Sequence, residues 1–360
     1  MDIDLPFFLE LLKIPSVTGD VPQVNRAVAA VRAWLEARGV HCTAETMPDG
    51  RDFLYASVRP GERTPRLLFN AHLDVVPAPA ALFEPRIVGD RIFGRGTQDC
   101  KGNAVAVAAA LAALAGSGAS VGAVFSTDEE EGGATTAAAV ARGIRATGLA
   151  VVADAEPWAI VFAQKGVASF RLVAEGKGGH SSRPWALDNP IDKLFDGWAR
   201  LRAAWPAPAD ETKHWHDTIA ATVVRAGAVH NQVPDTAEMV VNVRFVEPGA
   251  LPRVEALIRE ASGLRVERLT TCEPVVCDAD APALAALRGA MEAAFGREIP
   301  MKRMHGATDA RHFAGPGAAP VAMVGIDGRA CHEDAEEASL SSIAAYADLF
   351  ASFARSFAAR

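Results

Sequence analysis

The chain has few cysteines for its 360 residues: Cys42, Cys100, Cys272, Cys277 and Cys331, none of them in a C-x-x-C pair. An odd and scattered set argues against a disulfide framework. There is no basic block, and the net charge is −8, which makes nucleic acid an unexpected partner. The opening residues Met1-Asp2-Ile3-Asp4 are acidic and lack the basic region of a secretory signal. The longest apolar stretch, Val105 to Ala115, is alanine-rich and too short to span a bilayer, so no membrane role is expected. No internal repeat or low-complexity tail stands out. These absences leave a soluble protein, expected in the cytoplasm.

Half of the residues are hydrophobic and 22% are charged, ordinary for a globular chain long enough for two domains or for one with an insertion. Phe7 to Ile14 and Val21 to Gly39 carry apolar residues at helical spacing. Leu67-Leu68-Phe69, Val121 to Ser126 and Leu149 to Ala153 are continuous apolar runs, the pattern of parallel strands buried on both faces. Phe53 to Val58 is a further strand candidate, and Ile87 to Gly94 forms a hairpin around Gly89-Asp90.

From Gly166 the pattern changes. Alternating strands (Val167 to Glu175, Thr218 to Val229, Thr236 to Glu247, Arg265 to Thr271) are interleaved with helices near Pro190 to Ala203 and Leu251 to Ser262. That β-α-β-β-α-β order predicts a ferredoxin-like insert. Helix and strand signals of the first kind return after Cys277 and end in a helix from Leu340 to about Arg355. The expected architecture is therefore α/β, a mixed, largely parallel sheet flanked by helices. It is formed by residues 1–166 and 277–360, with an α+β insert over 167–276.

The chemistry sits where apolar strands end. His72 and Asp74 follow the run that ends at Phe69, and ligands in open α/β sheets lie at the carboxyl ends of strands. Asp99 lies in the loop Gly94-Arg95-Gly96-Thr97-Gln98-Asp99-Cys100-Lys101-Gly102 ahead of an alanine-rich helix. That loop lacks the third glycine of a dinucleotide cradle. Thr127-Asp128-Glu129-Glu130-Glu131-Gly132-Gly133 crowds four carboxylates, and close pairs of them repel by roughly 4 kcal/mol at an effective dielectric near 20. A cation is needed to offset this. Asp154-Ala155-Glu156-Pro157 closes the third strand, and Ala330-Cys331-His332-Glu333-Asp334 comes late in the chain. Carboxylates and imidazoles without thiolate suit a catalytic Zn²⁺, Mn²⁺ or Co²⁺ site rather than a structural zinc. Cys100 and Cys331 are read as small apolar fillers. His41, His214, His216 and His305 are read as surface or loop residues, whereas His312 either lies near the site or simply packs.

The series H-L-D-V-V-P, G-R-G-x-x-D-x-K-G, T-D-E-E-x-G-G, E-P, G-G-H-S-S-R-P and C-H-E-D resembles the dinuclear zinc amidohydrolases. That family includes acetylornithine deacetylase, succinyl-diaminopimelate desuccinylase, aminoacylase and glutamate carboxypeptidase. The resemblance covers nearly the whole chain and implies a zinc-exopeptidase-like catalytic domain holding two divalent metals per chain, Zn²⁺ in the first place. It implies that Asp99 bridges the metals, that His72 and Glu156 complete one site, and that Glu130 and His332 complete the other. Asp74 supports His72, and Glu129 is the general base toward a water held between the metals. His180, on the insert, donates to the oxyanion, while Asn231, Arg244, Thr308 and Arg311 surround the substrate carboxylate.

The resemblance also implies an insert that closes as a lid and forms a homodimer. The implied substrate is an N-acyl amino acid, with a dipeptide or small peptide as the alternative. A non-catalytic, metal-stabilised binding relative would not need Glu129 beside Glu130. Two registers stay open: Glu130 and Glu131 for base and ligand, although the spacing to Gly132-Gly133 favours Glu129 and Glu130, and Asp154 in place of Glu156.

Overall fold

The computed structural model describes residues 3–207 and 214–359. The chain divides into two compact units. One comprises Met1–Phe162, Cys277–Lys302 and Thr308–Arg360, and the other Ala163–Val276 with Arg303–Ala307.

In the first unit, α1 (Leu5–Leu12) starts at Asp4, whose side chain accepts the Phe7 N–H, with proline in the first turn. Helix α2 (Val21–Glu36) starts in the same way at Asp20. Strands β1 (His41–Thr46), β2 (Asp52–Ser57) and β3 (Leu67–His72) follow, then the hairpin β4 (Arg86–Val88) and β5 (Arg91–Phe93). Helix α3 (Lys101–Leu114) is buried on nearly every face, so its alanines are core rather than surface. Then come β6 (Val121–Ser126), α4 (Ala134–Ala141) and β7 (Leu149–Pro157).

Every residue of β3 and β6 is buried, which is why these strands read as unbroken apolar runs. Strand β3 pairs in parallel with β6 and with β7, and His72 lies opposite Ser126. Asn70 pairs with Val152, so two more residues on each strand bring His72 and Asp154 to the same sheet edge. Strand β2 pairs antiparallel with β6, and β1 pairs antiparallel with β2 at the sheet edge.

The second unit runs β8 (Gly166–Glu175), α5 (Pro190–Ala204), β9 (Thr218–Ala226), β10 (Thr236–Phe245), α6 (Leu251–Ser262) and β11 (Arg265–Cys272). The strand order is β9-β10-β8-β11, all antiparallel, the arrangement of a split β-α-β pair. Strand β10 alternates strictly, and its buried Met239, Val241, Val243 and Phe245 pack with Phe170 and Leu172 of β8, Leu194 and Leu201 of α5, and Val254 and Ile258 of α6. A two-residue ladder pairs Gly179 with Val233 and His180 with Gln232, joining the two long loops of this unit.

The chain then returns to the first unit through α7 (Pro282–Phe295), the short α8 (Ala310–Phe313), β12 (Val321–Gly325) and α9 (Leu340–Phe357). Strand β12 pairs in parallel with β7. The core of the unit is a single cluster between the sheet and its helices, with Phe69, Leu111, Tyr346 and Phe350 at its centre. The expected largely parallel sheet flanked by helices is what the chain forms.

Candidate metal centre

His72, the last residue of β3, is buried, and its ring bridges two partners. Nδ1 lies 3.0 Å from the main-chain oxygen of Asp74, and Nε2 lies 2.8 Å from Asp99 Oδ1. Strand pairing places the ring, and the carbonyl two residues on fixes its orientation. The Asp74 carboxylate, 3.3 Å from the same ring nitrogen, ties down other segments. It accepts from Thr18 Oγ1 and from the main-chain N–H groups of Glu129 and Glu130.

Those two glutamates form a single 3₁₀ turn with Glu131, three residues past the end of β6. Gly133 closes the turn in the left-handed region (φ 66°), where a Cβ would stand 2.0 Å from Asp309 Oδ1. Glu130 Oε1 lies 3.2 Å from His332 Nε2, and Glu129 Oε1 lies 3.9 Å from Arg311 Nη1. Glu131 is more than half exposed and pairs with Arg51 at 3.8 Å. The turn therefore sends Glu129 and Glu130 inward and Glu131 outward. His332 Nε2 also lies 3.1 Å from Asp99 Oδ2.

Ligand atoms of His72, Asp99 and Glu130 all lie within 4.8 Å of one another; so do those of Asp99, Cys331 and His332, and those of His72, Cys100 and Asp154. The three overlapping groups form one centre of imidazoles and carboxylates. Glu156 is not part of it. Its carboxylate is 45% exposed and pairs with Lys302, whereas Asp154 is in the cluster. The cause is a break in the ladder: Val324 pairs with Ala153 but Gly325 pairs with Pro157, so three residues of β7 have no counterpart. Asp154 continues the strand edge, and the bulge turns Glu156 away. Of the two acids that the sequence left open here, the structure groups Asp154, and not Glu156, with His72.

The charges explain why a cation belongs here. Burial, with Asp99 and other acids nearby, pushes Asp154 up to about 7. Burial and the neighbouring Asp154 raise Glu129 well above the usual carboxylate range, and burial raises Glu130. Asp99 runs the other way: burial opposes ionisation, but hydrogen bonds to His332 and His72 hold it well below that range. The Asp99 hydrogen bond, against burial, raises His332 to about 9. Four crowded carboxylates face two imidazoles, and hard or borderline divalent ions match that donor set.

Thr308 and Arg311 belong to the same unit as the centre. Arg311 Nη1 donates to the Thr308 carbonyl at 3.1 Å, close to Glu129. His180, Asn231 and Arg244 belong to the other unit. There the Asn231 carbonyl accepts from Ser181 N, and Arg244 Nε donates to Asn242 Oδ1. His180 Nδ1 accepts from Ser182 N at 3.2 Å, which leaves Nε2 to carry the proton of a neutral ring. His312 stands 3.2 Å from the Gly132 carbonyl, so it lies beside the acidic turn.

Sequence reasoning missed two groups. Asp309 is buried and accepts from both Ser126 Oγ and Thr136 Oγ1 at 2.6 Å, bracing the acidic turn. Cys331 is exposed rather than a packed filler, with Sγ 2.7 Å from Asp99 Oδ2. Its position next to His332 was the available signal. Cys100, in contrast, is a buried filler whose thiol donates to the Ala153 carbonyl.

Residues 68–356 match the family described as peptidase family M20/M25/M40. The chain belongs to this family. It is a hydrolase of the metallopeptidase and amidohydrolase type. A succinyl-diaminopimelate desuccinylase of Methylobacterium sp. (strain 4-46) is 30% identical over 377 residues, covering 94% of this chain and 92% of that protein. Among solved structures, an M20 family metallo-carboxypeptidase from Sulfolobus solfataricus superposes with a TM-score of 0.81 at 18% identity, covering 99% of both chains. A Bacillus subtilis protein described as a dinuclear metal binding peptidase from the M20 family gives 0.68 at 17% identity, covering 98% of both. Among the described residues of this M20 hydrolase, no helix is long and apolar enough to cross a membrane.

Proposed function

We propose that this M20 hydrolase cleaves the amide bond of an N-acyl amino acid, using two divalent ions, Zn²⁺ in the first place. His72, Asp99, Glu130, Asp154 and His332 would hold the ions, with Asp99 shared between them. The observation that carries the reading is the clustering of His72, Asp99 and Glu130 ligand atoms within 4.8 Å, beside Glu129, a partly buried glutamate outside that group. When bound, such a pair of ions acidifies a water and polarises the scissile carbonyl.

The protein's own part is proton transfer and orientation. Glu129 takes the proton of the attacking water and returns it to the leaving amine, and burial beside Asp154, which raises its proton affinity, suits a carboxylate that must pick up a proton. Asp74 fixes the His72 ring and the acidic turn together. Arg311 and Thr308, with Asn231 and Arg244 of the insert, are proposed to bind the substrate carboxylate. His180 is proposed to donate from Nε2 to the oxyanion.

The insert is proposed as lid and dimerisation element. Its sheet ends in β9, whose residues from Ala220 to Ala226 are exposed on both faces, including Val223 and Val224. Such an edge is open to pairing with a second copy. Five free cysteines support a reducing, cytoplasmic setting.

The second reading, a dipeptidase or carboxypeptidase, draws on the Sulfolobus metallo-carboxypeptidase fold neighbour. A hydrolysis screen of N-acetyl and N-succinyl amino acids against dipeptides, each with Zn²⁺, Co²⁺ and Mn²⁺, separates the two. Turnover of acylated amino acids that stops on chelation is the expected result. Full activity in metal-free protein would overturn the reading.

A further inference from the structure

Glu336 lies four residues past His332, is 1% exposed and sits in a loop with no established role. Its carboxylate is surrounded by the backbone of a segment more than two hundred residues earlier. Oε2 accepts from Arg95 Nη1 at 2.7 Å and from Gly96 N at 3.0 Å. Oε1 accepts from Gln98 N at 3.0 Å and from Asp99 N at 3.1 Å. The main chain joins in, since Gly94 N donates to the Glu336 carbonyl at 3.1 Å. The loop from Gly94 to Asp99 thus folds around one anion, in the way that successive backbone N–H groups form an anion-binding nest. Arg95, 2% exposed, balances the charge.

We infer that Glu336 is a positioning residue that locks Asp99 to the loop carrying His332. Resting on the metal-dependent reading above, it would set the geometry of the shared ion site before any ion binds. Asp99 and His332 come from opposite ends of the chain, and His332 is held in the left-handed region (φ 65°). An exposed imidazole on such a loop needs a fixed frame if it is to meet Asp99 Oδ2. Glu336 supplies one by joining both loops through four donors to its side chain and one to its main chain. The carboxylate cannot be replaced by an amide. Each oxygen already accepts two N–H donors, so either orientation of a glutamine sets its NH₂ against two further donors.

The test compares wild type, Glu336→Gln and Tyr346→Phe. The last removes the hydroxyl that accepts from Trp158 N and so controls for ordinary loss of stability in the same unit. Zn²⁺ affinity is read by chelator competition, and ligand geometry by the d–d absorption of the Co²⁺-loaded protein. Glu336→Gln is expected to bind Zn²⁺ about 10- to 100-fold more weakly, with an altered Co²⁺ spectrum and unchanged far-UV circular dichroism. Tyr346→Phe is expected to melt earlier with wild-type affinity and spectrum.

Should Glu336→Gln fail to fold, Arg95→Gln keeps every backbone donor, and it should weaken Zn²⁺ binding in the same direction by a smaller factor. Wild-type affinity and spectrum in Glu336→Gln would overturn the inference, as would a loss no larger than that of the control. Failure of the wild type itself to take up either ion would instead overturn the metal-dependent reading, and this inference with it.

Discussion

Glu129 hangs its main-chain N–H on Asp74 Oδ1 at 3.2 Å, and Glu130 follows on Oδ2 at 3.3 Å. One buried carboxylate therefore sets the register of the acidic turn, and with it the division of labour between base and metal residue. Glu129→Gln is expected to lose turnover by about 10²–10⁴-fold while keeping wild-type metal content. Glu130→Gln should lose metal as well. Metal analysis of the two purified variants beside their kcat decides the matter. Exchanged phenotypes, or phenotypes shifted to Glu130 and Glu131, would refute the register.

The bulge in β7 makes a sharp prediction about two acids only two residues apart. Asp154→Ala should bind about 10- to 100-fold less metal at a fixed free concentration. Glu156→Ala, which loses only a surface pair with Lys302, should bind as wild type and change stability by well under about 1 kcal/mol. Metal titration of both proteins checks this, and a loss confined to the Glu156 variant would restore the reading made from the sequence.

His180 carries its proton on Nε2 if it is neutral, so it is available as a donor. His180→Ala is expected to lower kcat by about 10²–10³-fold with metals retained. If β9 pairs two copies and His180 serves the partner's centre, co-expressed Glu129→Ala and His180→Ala chains should recover activity that neither has alone. Random pairing makes half the dimers mixed, each with one working site of two, which returns roughly a quarter of wild-type activity. No recovery in verified mixed dimers would place His180 in its own chain's chemistry.

Asp4 caps α1 and also receives Trp34 Nε1 at 2.9 Å and Arg38 at 2.8 Å. The Trp34 bond leads in lowering its pKa, partly opposed by burial and helped by Phe7 N and Arg38. A carboxylate with a depressed folded pKa stabilises the fold above its unfolded value of 3.8 and loses that contribution as pH falls through the folded one. Asp4→Ala should cost about 1 kcal/mol at neutral pH. The gap in melting temperature from wild type should close as the pH drops below about 4. A gap that stays constant into acid would contradict the assignment.

Much of this protein was legible without its structure. Continuous apolar runs announced β3, β6 and β7, because strands buried on both faces tolerate nothing else. The change to strict alternation at Gly166 marked where a sheet with one covered face begins. The motifs at the strand ends named His72, Asp74, Asp99, Glu129, Glu130 and His332, all of which the fold brings together. Strand β1 escaped notice because His41–Thr46 is a half-exposed edge strand of mixed residues, with no apolar run to show.

Only tertiary structure chose Asp154 over Glu156, since the bulge arises from pairing with β12, a strand formed some 170 residues later. The same holds for Asp309, Cys331 and Glu336. Local periodicity reports which face of an element is buried, but it says nothing about which distant loop will surround a given carboxylate. That is decided when the late segments of the chain close over the sheet edge that the early ones built.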